Sequence, residues 1–196
     1  MTKKICCVVS LEGPDSQGKS THAKRLLNHL LEAGFRACYI KSPDVESVFY
    51  KDIYRTLESG WALEHPMLFQ GMQFVNKMHF QHGRLPKLRK EMDVIIMDRW
   101  DLSMQAYGLA TGVPASVIRV MSRMLVKPDQ VYLLSGNKTP RETPRDIYEK
   151  DDSLQKAVSA FYNSQTWRNQ YAEVTDINVA NNPDDTFKAI IREFRF

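Results

Sequence analysis

The sequence predicts an α/β fold of three layers: a parallel five-stranded sheet with helices on both faces, and a short lid. Three observations predict it. Apolar, strand-like runs alternate with segments of helical period from end to end. A glycine-rich loop, Gly13-Pro14-Asp15-Ser16-Gln17-Gly18-Lys19-Ser20, falls between the first strand and the first helix. A charged stretch with two prolines then breaks the alternation at about 137–152.

Taken in order, Ile5 to Leu11 is an apolar run that reads as a buried parallel strand. Ala23, Leu26, Leu27, Leu30 and Leu31 recur at helical spacing, and Gly34 is a stop signal. Ala37-Cys38-Tyr39-Ile40 reads as the second strand, ended by Ser42-Pro43. Helices are expected over about Val45 to Ser59 and Pro66 to His82, the latter with Leu68, Phe69, Met72 and Val75 on one face. A basic piece, Arg84 to Lys90, leads into the strand Val94-Ile95-Ile96-Met97. Helices over about Leu102 to Leu109 and Ala115 to Val126 precede the strand Val131-Tyr132-Leu133-Leu134. Asn137 to Asp152 holds Pro140, Pro144 and many charges, and is expected to be a mobile connection. A helix from Ser153 to Tyr171 and a short strand from Ile177 to Val179 follow. Asn182-Pro183 starts a last helix that buries Phe187, Ile190, Ile191 and Phe194. No repeat or linker divides the 196 residues, so a single domain is expected.

Hydrophobic content of 43% and charged content of 26% are those of a soluble globular chain. No apolar run approaches the roughly 18 residues of a membrane span. Met1-Thr2-Lys3-Lys4 runs straight into the first strand, leaving no room for a signal peptide. The three cysteines, Cys6, Cys7 and Cys38, lie in expected buried strands, which argues against a disulfide framework or a zinc site. A reducing, cytoplasmic setting is the expectation. The net charge of +4 suits a binder of phosphates, and without a dense Lys/Arg stripe nucleic acid is not the expected partner. The apolar helix faces permit a homodimer, although sequence alone does not separate an interface from a core.

The glycine loop carries the chemistry. It matches the phosphate-binding pattern G-x-x-x-x-G-K-[ST] at every fixed position, in the strand–loop–helix setting that gives the pattern meaning. A triphosphate is well solvated by water, so a protein must aim many backbone N–H donors at its oxygens. Only glycine lets the backbone wrap closely enough. The helix beginning near Gly18 adds its positive dipole end, which favours an anion there. Gly13, Ser16, Gly18, Lys19, Ser20 and Thr21 are therefore candidate ATP-binding residues, with Lys19 reaching the outer phosphates and the Ser20 hydroxyl ligating Mg²⁺. This pattern places the chain among P-loop NTPases.

Two further segments handle phosphate. Asp98 and Arg99 close a buried strand at its carboxyl end, where ligands sit in such sheets. The aspartate can orient Mg²⁺ or its water, and the arginine can grip a phosphate bidentately. The alternative is an ion pair that merely caps the strand. The charged segment carries Lys138, Arg141, Arg145 and Lys150, either as a solvated run or as a lid that excludes water and delivers a cation to the phosphoryl group in flight.

In nearly full-length order these residues resemble the thymidylate kinases. Glu12-Gly13-Pro14-Asp15 through Lys19-Ser20-Thr21 is similar to that family's loop, and Leu68-Phe69 to the Leu-Phe that opens its base-reading helix. Asp98-Arg99-Trp100, Ser103, Ala106 and Tyr107 resemble its Asp-Arg-Tyr…Ser…Ala-Tyr stretch. Lys127-Pro128-Asp129, then Arg145-Asp146-Ile147-Tyr148-Glu149 with Gln155 and Val158, resemble the approach to its lid and the helix beyond. The resemblance implies transfer of the γ-phosphate of ATP, with Mg²⁺, to a deoxynucleoside monophosphate, most simply dTMP or a related pyrimidine. It implies that Asp15 contacts the acceptor's sugar or helps activate its phosphate. Phe69 would stack on the base, Arg99 bind the acceptor phosphate, Tyr107 wall the base or sugar, and Tyr148 close over the sugar. Ser16 stands where some members carry a basic residue, so a lid arginine, Arg141 or Arg145, is expected to supply transition-state charge, a role worth on the order of 10³ in rate.

Two departures bear on the acceptor. Where the family has Phe-Pro-x-Arg, with the arginine on the acceptor phosphate, this chain has Ser42-Pro43-Asp44-Val45. Where the base-reading helix has Leu-Phe-x-x-x-Arg, this chain has Gln73 as the last residue, with Gly71 expected to make room above the base. Gln73 can donate and accept, which suits thymine or uracil but also cytosine or adenine. Two other readings stand beside the first. One is a kinase of deoxynucleosides or of hydroxymethylated pyrimidines, free or within DNA, which the missing arginine favours. The other is a nucleotide-binding switch without catalysis, against which the intact Lys19, Asp98, Arg99 and lid arginines argue.

Overall fold

The computed structural model describes residues 6–136, 147–164 and 166–195. Its centre is strand β1 (Cys7–Glu12), whose six residues are all buried, as an apolar run without alternation requires when helices cover both faces. Around it lie β2 (Ala37–Lys41), β3 (Val94–Asp98), β4 (Gln130–Gly136) and β5 (Val174–Val179). The order is β2-β3-β1-β4-β5, and every pairing is parallel. All carboxyl ends therefore meet one edge, where the register sets Leu11 beside Asp98 and Lys41 on its other side. That edge is the crevice in which such sheets hold ligands.

Alternate residues of β1 feed two cores. Cys7, Val9 and Leu11 pack with Ala23, Leu26 and Leu30 of α1 (Lys19–Glu32) and Ile190 of α10 (Pro183–Glu193). On the opposite face lie α2 (Tyr50–Ser59), α3 (Trp61–Glu64), α4 (Pro66–Gly83), α5 (Leu85–Glu91), α6 (Asp101–Ala110) and α7 (Ala115–Met124), with α8 (Ile147–Lys150) and α9 (Asp152–Asn163). The three layers and five parallel strands match the expected fold class. The expected last helix starts as its signal says, with the Asn182 side chain accepting from the Asp184 N–H at 2.9 Å.

Several elements differ from the sequence expectation. The helix expected from Val45 begins only at Tyr50, because the segment before it is a clamped loop. Asn76 Oδ1 accepts from the Asp44 N–H at 2.8 Å, its Nδ2 donates to the Val48 carbonyl at 2.8 Å, and Arg84 pairs with Asp44 at 2.5 Å. The helix expected to reach Tyr171 stops at Asn163, and the chain folds back so that the buried Trp167 donates to the Phe161 carbonyl at 3.0 Å. The expected connection of 137–152 is ordered at its far end. Tyr148 is buried in α8, and Asp151 caps α9 by accepting from the Leu154 N–H at 3.0 Å. Arg141 and Arg145, with residues 137–146, lie outside the described residues.

Helix α4 departs furthest from its expected face. Phe69 is buried, but Leu68 is 61% and Val75 42% exposed. The buried stripe is instead Phe69, Gln70, Asn76, Lys77, Phe80 and Gln81. Buried polar side chains need partners, and α4 finds them. Asn76 holds the loop of 44–48, and Gln81 bonds the Val126 N–H at 2.7 Å and the Met124 carbonyl at 3.0 Å. Cys6, Cys7 and Cys38 are free thiols, buried or half-buried. Among the described residues, no helix is long and apolar enough to cross a membrane.

Gly13 is the tightest backbone contact of this frame. Its φ is +135°, and a Cβ built there would stand 2.2 Å from the Leu134 carbonyl oxygen on β4. Gly13→Ala should therefore cost about 3 kcal/mol or more of unfolding free energy in urea titrations, from strain and overlap together. A loss below about 1 kcal/mol would show that the loop can leave β4 freely.

Candidate active site

The loop after β1 folds as the residue pattern requires. Gly13 and Gly18 take positive φ values of +135° and +70°, and Ser16, at 60°, is one of three non-glycine residues among the described residues that do so. Gly18 is the residue before α1, so the first free N–H groups of that helix open towards the loop's concavity. A cavity of about 350 Å³ lies over it. Asp15, Ser16, Gly18, Lys19, Ser20 and Thr21 line one side; Phe69, Gln73, Asp98, Arg99, Tyr107 and Tyr148 also line it. Gly13 is not at the wall; it acts behind it, against β4. Gly71 is absent from the lining as well, and a Cβ there would meet nothing within 4 Å. It does not shape the cavity as its place in the sequence suggested.

Arg99 organises the polar floor. Its backbone takes φ 66°, an uncommon conformation for a residue with a side chain. From there the guanidinium donates to the Gly13 carbonyl at 3.2 Å and the Ser103 hydroxyl at 3.1 Å, and forms an ion pair with Asp15. Asp15 also accepts from the Tyr107 hydroxyl at 2.5 Å and from Gln155 Nε2 at 2.8 Å. Burial pushes the Asp15 carboxyl up, but Arg99, Lys19 and these hydrogen bonds outweigh it and hold the group at about 2. Beneath them, the buried Glu12 accepts from the Trp100 N–H at 2.8 Å and the Ser103 hydroxyl at 2.5 Å, while burial raises it to about 7.

Lys19 is buried and donates to the Pro14 carbonyl. Burial, assisted by Arg99, lowers its ammonium to about 7 against the pull of Asp15, Asp98 and Glu12. The Ser20 hydroxyl donates to Asp98 Oδ2 at 2.5 Å, and the Tyr39 hydroxyl donates to the same oxygen at 2.8 Å. This is a hard, all-oxygen pair of the kind that holds Mg²⁺ through one or two protein ligands and the substrate's phosphates. No set of three or more His, Cys, Asp and Glu side chains converges among the described residues. On the aromatic wall, Tyr107 and Tyr148 lie parallel, 5.7 Å apart at 3°, and Phe69 meets Tyr148 edge-on at 5.6 Å.

The structure thus gathers every expected site residue that it describes, apart from Gly13, around one cavity. Sequence reasoning did not assign Glu12, Tyr39, Lys77, Ser103 or Gln155 to the site. For Lys77 a signal existed: a lysine four residues after Gln73 and eight after Phe69 shares their helical stripe. Glu12 and Tyr39 carried no such helical signal, because only tertiary packing brings them to the site.

The model of the thymidylate kinase family matches residues 11–186. A probable thymidylate kinase of Saccharolobus solfataricus is 33% identical over 128 residues, covering 65% of this chain and 64% of that one. A probable thymidylate kinase of Caldivirga maquilingensis is 25% identical over 185 residues, 91% of this chain and 89% of the relative. The solved thymidylate kinase of Candida albicans has the same fold, with a TM-score of 0.75 and 19% identity over 96% of this chain and 90% of that one. The chain belongs to the thymidylate kinase family and is a nucleoside monophosphate kinase.

Asp15 gives a test of this electrostatic arrangement. Its folded value of about 2 lies below the ordinary 3.8, so it contributes stability above pH 4 that is lost as pH falls towards 2. The full contribution is about 2 kcal/mol. In urea titrations the advantage of the wild type over Asp15→Asn should shrink by about 1 kcal/mol between pH 6 and pH 3. A gap that stays constant over that range would mean that Asp15 is not held ionised by Arg99.

Proposed function

We propose that this member of the thymidylate kinase family transfers the γ-phosphate of ATP to a pyrimidine deoxynucleoside monophosphate, dTMP first among them. The observation that carries the reading is the single cavity whose wall combines the phosphate loop with Phe69, Gln73, Arg99 and Tyr107. Donor and acceptor phosphates can meet there without crossing solvent.

In this reading an oxygen of the acceptor phosphate attacks the γ-phosphorus, the bond to the β–γ bridging oxygen breaks, and ADP leaves. Backbone N–H groups of the loop and Lys19 hold the donor's phosphates. Ser20 and Asp98 would hold Mg²⁺, which when bound neutralises charge on the donor's phosphates. Arg99 turns its remaining donor capacity towards the acceptor phosphate, and Asp15 keeps that guanidinium and Tyr107 in place. Because Asp15 stays ionised well below neutrality, its part is orientation by charge, not donation of a proton. Phe69, with the paired rings of Tyr107 and Tyr148, takes the base and sugar. Arg141 or Arg145 supplies the late positive charge, since the loop itself has Ser16 in place of a cation.

A second reading keeps the donor and changes the acceptor to a hydroxymethylated pyrimidine or a free deoxynucleoside. Its support is Val45, which is 63% exposed and does not line the cavity. No cation reaches the acceptor from that position.

ADP release from Mg·ATP across deoxynucleoside monophosphates, with nucleosides and 5-hydroxymethyl forms as controls, separates the two. Turnover with dTMP or dUMP supports the first reading; silence on every ordinary monophosphate, with ATP still bound, sinks it. Lys19→Ala should abolish transfer and leave the far-ultraviolet circular dichroism unchanged. Retained turnover in a folded variant would remove the loop from the mechanism. Gln73→Arg should move base preference towards thymine, and an unchanged preference would show that Gln73 does not face the base.

A further inference from the structure

Val45 is 63% exposed and stands away from the cavity wall, so the loop after β2 brings no cation to the acceptor phosphate. Helix α4 brings one. Lys77 is 4% exposed and lines the cavity together with Ser42, Arg99 and Ser103. Its Nζ donates to the Ser42 hydroxyl at 2.5 Å, just past β2, and lies 5.8 Å from the ring of Trp100, just past β3. The Ser42 N–H donates in turn to the Asp98 carbonyl at 3.0 Å, which ties the pair to the end of β3. Arg99 is near enough to act on the ammonium as a like charge. Two largely buried cations therefore meet at the strand ends, beside the loop carbonyl of Gly13 that Arg99 already holds. Lys41 also reaches the wall, but it is exposed and turns to the Tyr54 ring at 5.7 Å.

Only one of the two has an acid. Asp15 pairs with Arg99, whereas no carboxylate among the described residues pairs with Lys77. Glu12 and Asp101 act on it from a distance: Glu12 is engaged by Trp100 and Ser103, and Asp101 by Lys127. One Asp101 oxygen has no hydrogen bond among the described residues, so the ammonium does not reach it. A buried ammonium next to a guanidinium is costly unless an anion joins them. A phosphate monoester does so, since one oxygen can meet the remaining Arg99 donors while another meets the ammonium. Because Ser42 Oγ accepts from Lys77, its own hydrogen remains for the same phosphate. Resting on the reading of this cavity as the acceptor site, we propose that Lys77 and the Ser42 hydroxyl bind the acceptor's phosphate beside Arg99. A free nucleoside has nothing to place there, so this pair selects a monophosphate as the acceptor.

The test is isothermal titration of the intact protein with dTMP and with thymidine, which share a base and differ by the phosphate. The wild type should bind dTMP about a hundredfold or more tightly than thymidine. Lys77→Met should weaken dTMP by about tenfold or more and leave thymidine within about twofold. Ser42→Ala is a smaller change that serves if Lys77→Met does not fold. It should weaken dTMP about threefold or more and spare thymidine in the same way. Circular dichroism checks the fold of each variant. A wild type that holds thymidine as tightly as dTMP overturns the proposal. So does an unchanged dTMP affinity in a folded variant, or an equal loss for both ligands, which marks Lys77 as a residue of the fold only. Turnover keeps the two readings apart. A loss confined to dTMP, with no ADP release from any monophosphate, sinks the transfer reading alone; turnover with the KM for dTMP unmoved in Lys77→Met sinks only the role of Lys77.

Discussion

The site depends on how charges buried together at the ends of parallel strands neutralise one another. Glu12, Asp15 and Asp98 face Lys19 and Arg99 where β1 and β3 finish. Little water reaches them, so each needs a partner from the protein. Arg99 meets most of that need. Its unusual backbone conformation lets one guanidinium bind the loop through Gly13, the helix α6 through Ser103, and the acid Asp15. Such strain persists where the surroundings over-determine it, and here these three contacts do so.

The same arrangement leaves part of the site's charge adjustable. Lys19 near 7 and Glu12 near 7 both sit at the point where a proton can be gained or lost close to neutrality. An arriving phosphate would stabilise the charged form of Lys19, so ligand binding and protonation are coupled. Asp15 lies far from that balance at about 2 and behaves as a fixed charge. The loop lysine is thus the adjustable member and the Asp15–Arg99 pair the rigid one. That division suits a site that must admit highly anionic ligands and still hold their phosphorus atoms in line.

What could be read from the sequence follows which interactions are local. The five strands, the loop and the first and last helices were legible because apolar runs, glycine spacing and an Asn-Pro cap act within a few residues. So were the loop lysine, at the start of α1, and Asp98 and Arg99, whose places at the end of β3 are fixed by the parallel sheet. The segment 45–49, expected as helix, is a loop because its stability comes from Asn76 and Arg84, about 30 to 40 residues away. Tyr148 was assigned to a mobile segment because proline and charge dominate its neighbourhood, while its burial against Phe69 and Tyr107 is tertiary. Glu12 kept its role hidden for the opposite reason: it continues an apolar strand, and only the return of Trp100 and Ser103 explains a carboxylate there.

Helix α4 shows most clearly why pattern and burial can part. Its exposed residues include Met67, Leu68 and Val75, while Gln70, Asn76, Lys77 and Gln81 point inward. An ordinary amphipathic helix is stabilised by its apolar stripe. This one is held by polar contacts to a loop and by Phe69 and Phe80 on the inner side, with Met72, Phe74 and Met78 partly buried beside them. Among the described residues, the Gln70 side-chain oxygen has no partner and the Lys77 ammonium bonds only the Ser42 hydroxyl. A nucleotide that supplied those partners would complete the interior of the fold as well as occupy the site. Binding and stability are then linked through the same side chains, since any ligand that binds only the folded state raises its stability. Asn76 and Gln81 are thus spent on the fold, while Gln70 and Lys77 line the cavity and stay open to a ligand.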